Sequence, residues 1–207
     1  MEKFQQRIDA KNFSAAVTLF EKRFKGREHE CDIDLAHAAL DSYGRSGNYK
    51  GALELFQLII PSTESFFLVM LACASAKRWD EVIQLISKQD AAGLPLKSRA
   101  LELRIRAHAE LNDYKTSVYY LRELVHMARK KQTGYQDPET SAVDLRILTS
   151  VINCCARACA REGGPAFVTA FDAFELVCGS NGPDPDVFTM AALMSACDKV
   201  RVSVGPS

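Results

Sequence analysis

Five times along the chain an aromatic residue is followed three positions later by a small or short side chain and seven positions later by a larger apolar one. The sets are Phe13, Ala16, Phe20; Tyr49, Ala52, Phe56; Trp79, Val82, Ile86; Tyr114, Ser117, Leu121; and Phe167, Ala170, Phe174. Offsets of three and seven lie on one face of an α-helix, so each set marks a helix with one buried stripe. The aromatics stand 36, 30, 35 and 53 residues apart. Recurrence at a period of about 20 to 50 residues is the mark of stacked supersecondary units that bury a core only against one another.

The best-formed unit surrounds Gly44 to Phe56. Gly44 and Gly47 suit the end of one helix, Asn48 can cap the next, and Tyr49, Ala52 and Phe56 are its inner stripe. In chain order, Phe4 and Ile8 indicate a first helix that turns at Lys11 and Asn12. Residues 33–43 should form the first helix of the Tyr49 hairpin, with Pro61 closing the second. Residues 63–76 are apolar nearly all round and predict a helix buried on both sides. Residues 97–111 with 114–129, then 143–161 with 167–178, continue the series, and 187–200 is a last first helix with no partner after it. Its Leu193, Met194 and Val200 should be left half covered, so the expectation is either a segment of a longer array or an end completed by another protein. The long fourth spacing holds a polar segment near 130–142 with Gly134 and Pro138, which reads as a flexible insertion. The expectation is one all-α domain over 1–207, an α-solenoid of about five antiparallel helix-turn-helix hairpins.

Charge narrows the partners. Lys plus Arg and Asp plus Glu each number 26, so no global field favours nucleic acid, membrane or acidic proteins, and any polyanion contact must be local. An apolar fraction of 47% supplies a core, yet no run approaches the roughly 18 residues that span a bilayer. Seven cysteines without a secretory signal read as reduced thiols. The start, Met1 to Asp9, resembles neither a signal peptide nor an Arg-rich transit peptide.

Residues 32–61, the exit Ala92, Gly93, Leu94, Pro95, and above all the run from Pro185, Asp186, Val187, Phe188, Thr189 to Cys197 resemble pentatricopeptide repeats. The likeness is to that family's proline–aspartate entry, its first helix with an early threonine, and its second helix with alanine and phenylalanine. Tetratricopeptide repeats are the close relative. The resemblance implies a right-handed superhelix whose first helices line a groove for single-stranded RNA in mitochondria or plastids; without it the address would be cytoplasmic. It also implies a base-reading slot near the start of each first helix, where two or three side chains read one base per repeat. Counting back from each turn aromatic, and from Cys197 in the last unit, puts Ala38, Leu68, Leu103, Ser150 and Ala192 there. Of these only Ser150 can hydrogen-bond, so base-specific readout is not expected.

Phosphate contact through cations remains open. Arg104 and Arg106 share one first helix with Arg99, Arg157 lies on a later one with Arg161, and Arg129, Lys130 and Lys131 lead into the insertion. Three adjacent cations at a helix end also suit the helix macrodipole. Cys73, Cys155 and Cys197 fall in one slot of three first helices, where Tyr43 and His108 stand in others, so Cys154, Cys155, Cys159 and Cys178 read as packing rather than as a metal centre. No phosphate-binding loop, nucleophile elbow or paired-carboxylate spacing points to catalysis or a cofactor. Two classes survive: an RNA-associated adaptor contacting RNA without sequence preference or seated in a ribonucleoprotein, and a tetratricopeptide-like protein scaffold with no RNA contact.

Overall fold

The computed structural model describes residues 2–24, 26, 31–131, 143–179 and 182–203. The side chains of 130, 131 and 201–203 are outside that description, as is segment 132–142, on which the expected insertion falls. Every secondary-structure element among the described residues is an α-helix: α1 Glu2–Asp9, α2 Phe13–Phe24, α3 Ile33–Arg45, α4 Tyr49–Leu58, α5 Thr63–Ser75, α6 Trp79–Ala91, α7 Ser98–Glu110, α8 Tyr114–Lys131, α9 Leu145–Glu162, α10 Gly164–Cys178 and α11 Val187–Ser203. None of them is long and apolar enough to cross a membrane.

Four of the five recurring aromatics are the first residue of a helix. The two residues before each do the turning. Lys11, Gly47, Lys77 and Asn112 all adopt positive φ, between 56° and 78°. In each turn the next amide reaches back five residues: Asn12 to the Arg7 carbonyl, Asn48 to Tyr43, Arg78 to Cys73 and Asp113 to His108, at 2.8 to 2.9 Å. This is the Schellman closure, which satisfies the orphan carbonyls of the finished helix. The same residues then open the following helix. Asn12 accepts from the Ala15 amide, Asn48 from Gly51 and Asp113 from Thr116. Other starts are capped by Asp32, Asp144 and Asp186, and α5 has a reciprocal box between Ser62 and Ser65.

Packing divides the chain into two compact units, Met1–Lys97 and Ser98–Ser207. In the first, α1 packs on α2, α2 on α3, and α3 on both its hairpin partner α4 and the next first helix α5, which carries α6. α3 and α5 approach closely because Gly44 has no side chain: a Cβ there would lie 3.3 Å from that of Ala72. Phe20 anchors this unit, with Phe4, Phe24 and Tyr43 around it at centroid distances of 5.2 to 6.4 Å. α5 is not buried on both sides. Phe66, Val69, Met70 and Cys73 form its core stripe, while Phe67 and Leu68 are half-buried and Leu71 is exposed. One helix face suffices for its neighbours α3, α4 and α6, and its remaining apolar residues lie off that face.

In the second unit α7 packs on α8 and α9, and α9 packs on α10 and α11. α9 is the most enclosed first helix, with Leu148, Val151, Ile152, Cys155, Ala158 and Cys159 inaccessible. Across its seam with α11 the Thr149 hydroxyl donates to the Leu145 carbonyl at 2.9 Å and lies 2.9 Å from the hydroxyl of buried Thr189. Because the Thr149 proton is committed, Thr189 is the donor across the seam.

Candidate functional site

The five slots expected to face a ligand are not equivalent. Ala38 and Leu68 are half-exposed, Ser150 is half-exposed, and Leu103 and Ala192 are buried. Ser150 Oγ donates to the Arg146 carbonyl of its own helix at 2.9 Å, leaving only lone pairs to offer outward. Thr149, one position earlier, is committed to Leu145 and Thr189. None of the five side chains presents a hydrogen-bond donor from this row.

The candidate cations serve separate junctions. Arg157 Nε donates to Asn112 Oδ1 and its Nη2 to the Ala109 carbonyl, each at 2.6 Å, so it ties α9 to the end of α7 and its turn. Arg129 Nη2 donates to the Leu176 carbonyl at 2.9 Å, in the last turn of α10. Both guanidiniums therefore bind carbonyls in the last turn of a helix, where the macrodipole is negative; that of Ala109 also accepts the Asn112 amide. Arg104 stacks 4.0 Å above the Tyr120 ring, which also has the Tyr119 ring at 5.0 Å and the His108 imidazole at 5.8 Å. Arg106 is exposed on the same helix. The side chains of Lys130 and Lys131, the other two members of the basic cluster, lie outside the described residues.

His108 and Asp113 form a pair that sequence spacing did not disclose, because the turn folds residue 113 back onto residue 108. His108 Nδ1 is 3.2 Å from Asp113 Oδ2. Burial pushes the imidazole below its ordinary value despite the carboxylate. Burial opposes ionisation of Asp113 too, but the hydrogen bonds from Thr116 and the charge and hydrogen bond of His108 together outweigh it and hold the carboxyl below the ordinary range. The nearby Ser117 is fully buried and offers no accessible nucleophile. The pair closes and caps a turn.

Burial also governs the cysteines. It drives the thiol of Cys155 up to about 12 and those of Cys73 and Cys154 up to about 11, which keeps them protonated and poor as ligands or nucleophiles. Among the described residues no three His, Cys, Asp or Glu side chains are grouped to hold a metal ion. A cavity of about 450 Å³ opens between α1, α2 and α3, floored by Phe4, Phe20 and Leu35 and rimmed by Lys3, Lys22 and Arg23.

The most distinctive surface is the outer face of α11. Val187 is 80% exposed, Phe188 75%, Met194 65% and Met190 42%. Leu193 and Val200, expected to be half covered with Met194, are half-buried, and Met194 is the more open. In the sequence Val187 and Phe188 stand in the entry of the last repeat. The offsets of four and seven from Val187 to Ala191 and Met194 already draw the stripe. No protein-family model matches the chain, and no curated protein matches it.

Proposed function

We propose that this chain is a non-catalytic helical-repeat module of pentatricopeptide type. In this reading the hairpins form a right-handed α-solenoid, and the module works as an adaptor beside RNA in a mitochondrion or plastid with its main contacts to protein. The observation that carries the preference for protein is the state of the slot row: Leu103 and Ala192 are turned into the core and the Ser150 proton is bound to its own helix. The direct stacking of successive first helices, α3 on α5 and α7 on α9 on α11, supports the repeat reading. RNA contact is then limited to phosphates, through cations that are mostly tied into the fold.

Binding of the purified chain to a pool of single-stranded RNA at low and physiological salt tests this. Three phosphate contacts would weaken about twentyfold between about 50 and 200 mM salt. The variant carrying Arg129→Ala, Lys130→Ala and Lys131→Ala should lose most of that salt-sensitive binding. Absence of binding even at low salt would overturn the RNA-linked part and leave the tetratricopeptide-like scaffold, which the engagement of Arg129 and Arg157 with carbonyls favours.

A further inference from the structure

The open face of α11 has a counterpart within the same unit. Aligning Cys155 with Cys197 sets Leu145, Leu148 and Ile152 of α9 against Val187, Met190 and Met194 of α11. In α9, Leu148 and Ile152 are fully buried, and α11 is one of the helices packed on it; in α11 the matching residues face outward. The face is thus built to receive a helix. From their fractional exposures, Val187, Phe188, Met190 and Met194 leave on the order of 500 Å² of apolar side chain uncovered, as large as the biggest patch an ordinary monomer carries.

We infer that this face is a self-association surface, occupied by α11 of a second copy in antiparallel two-fold pairing centred on Ala191. Two observations select this occupant. The first is area: doubling the patch gives about 1,000 Å², the lower bound for a specific interface. The second is the order of side-chain sizes. When residue 191 faces its own image, positions at equal offsets on either side meet across the axis. The exposed Ala191 lets the backbones approach, Phe188 of each copy meets Met194 of the other, and Val187 meets the smaller Ser195. Methionine adapts to an aromatic edge and gains from the sulfur contact. A symmetric pair of this kind closes on itself as a dimer. Its one adverse contact is Asp184 opposite Asp198, both exposed, with Lys199 adjacent. Salt screens that repulsion, so dimerisation holds or tightens as salt rises, opposite to phosphate binding.

The test is solution mass against concentration. The wild-type chain should rise from 22.9 kDa towards twice that mass between about 10 and 500 µM, at low and at high salt. Met194→Glu should move the midpoint at least about tenfold upward, because each dimer gains two buried charges. Val168→Glu, at an exposed apolar position of α10, should leave it in place. Ala191→Cys should form a disulfide-linked dimer under mild oxidation faster than the wild type with its native thiols. Helical circular dichroism identifies any variant that fails to fold, and the cross-link then decides by itself. A chain that stays at 22.9 kDa to about 500 µM, or a Val168→Glu variant that dissociates as Met194→Glu does, overturns the inference. A monomer that still binds RNA leaves the adaptor reading standing and the face open to a different partner.

Discussion

The helix-ending turns in the first unit provide a paired test of how this fold is held. Gly47 and Lys77 occupy the same position in successive turns, at φ of 78° and 57°, and both lie within Met1–Lys97. A Cβ added to Gly47 meets nothing within 4 Å, so the cost of Gly47→Ala is backbone conformation alone. A left-handed residue with a side chain costs about 1 to 2 kcal/mol, and removing glycine from the unfolded chain returns about 0.5 to 1 kcal/mol. The expected net loss is about 1 kcal/mol. Lys77→Gly reverses the exchange and should stabilise by a similar amount, since Lys77 adopts the strained conformation with no glycine to relieve it. Urea unfolding of both variants, followed by circular dichroism with the slope held common, measures the pair. Neutral Gly47→Ala together with destabilising Lys77→Gly would refute the argument and show that contacts of the lysine side chain outweigh its backbone.

Gly51→Ala should cost more than Gly47→Ala, about 1 to 3 kcal/mol in the same urea assay, because the new Cβ would stand 2.5 Å from Cε1 of the Tyr43 ring. Arg157→Ala should lower stability by about 1 to 2 kcal/mol by releasing Asn112 and the Ala109 carbonyl, whereas Ser150→Ala should change it by less than about 0.5 kcal/mol. Burial lowers the His108 imidazole below its ordinary value, so its contribution to stability is complete above the ordinary value and is lost as pH falls through the lowered one. His108→Gln should therefore flatten the stability profile on the acid side of neutrality, read as unfolding midpoints across that range. In the folded protein a thiol reagent should leave Cys73, Cys154, Cys155 and Cys159 unlabelled, and all seven cysteines should react on unfolding.

The helices were legible because their signals are local. The aromatic repeat placed the starts of α2, α4, α6 and α8 on the residue where each begins, and Asn48 announced its capping role through its neighbours. The turns were only partly legible: Gly47 signals positive φ, but Lys11 and Lys77 adopt it in the same local helix closure, which lysine does not advertise. α10 begins at Gly164, three residues before its aromatic, because Pro165 starts the helix early and that unit lacks the short turn of the others. The site was less legible than the fold. Spacing identified Arg129 and Arg157 as cations, but their carbonyl partners lie 47 and 48 residues away, and only packing brings them together. Leu103 and Ala192 illustrate the same limit, since a slot counted along the sequence carries no information on which way a helix is rotated against its neighbours.

The hydroxyl pair between α9 and α11 has a consequence for alignment. Short buried side chains stand on both helices, Cys155 and Cys159 on α9 and Ala192 and Ala196 on α11. Short side chains interlock little, so on their own they restrain sliding of one helix along the other only weakly. Thr189 removes that freedom. A slid helix would lose the Thr149 partner of this buried hydroxyl, a cost of about 0.5 to 1.5 kcal/mol. One weak polar contact thus discriminates among packings that the short side chains separate only weakly, and Thr189→Val should preserve much of the stability while letting α11 sample more than one position along α9.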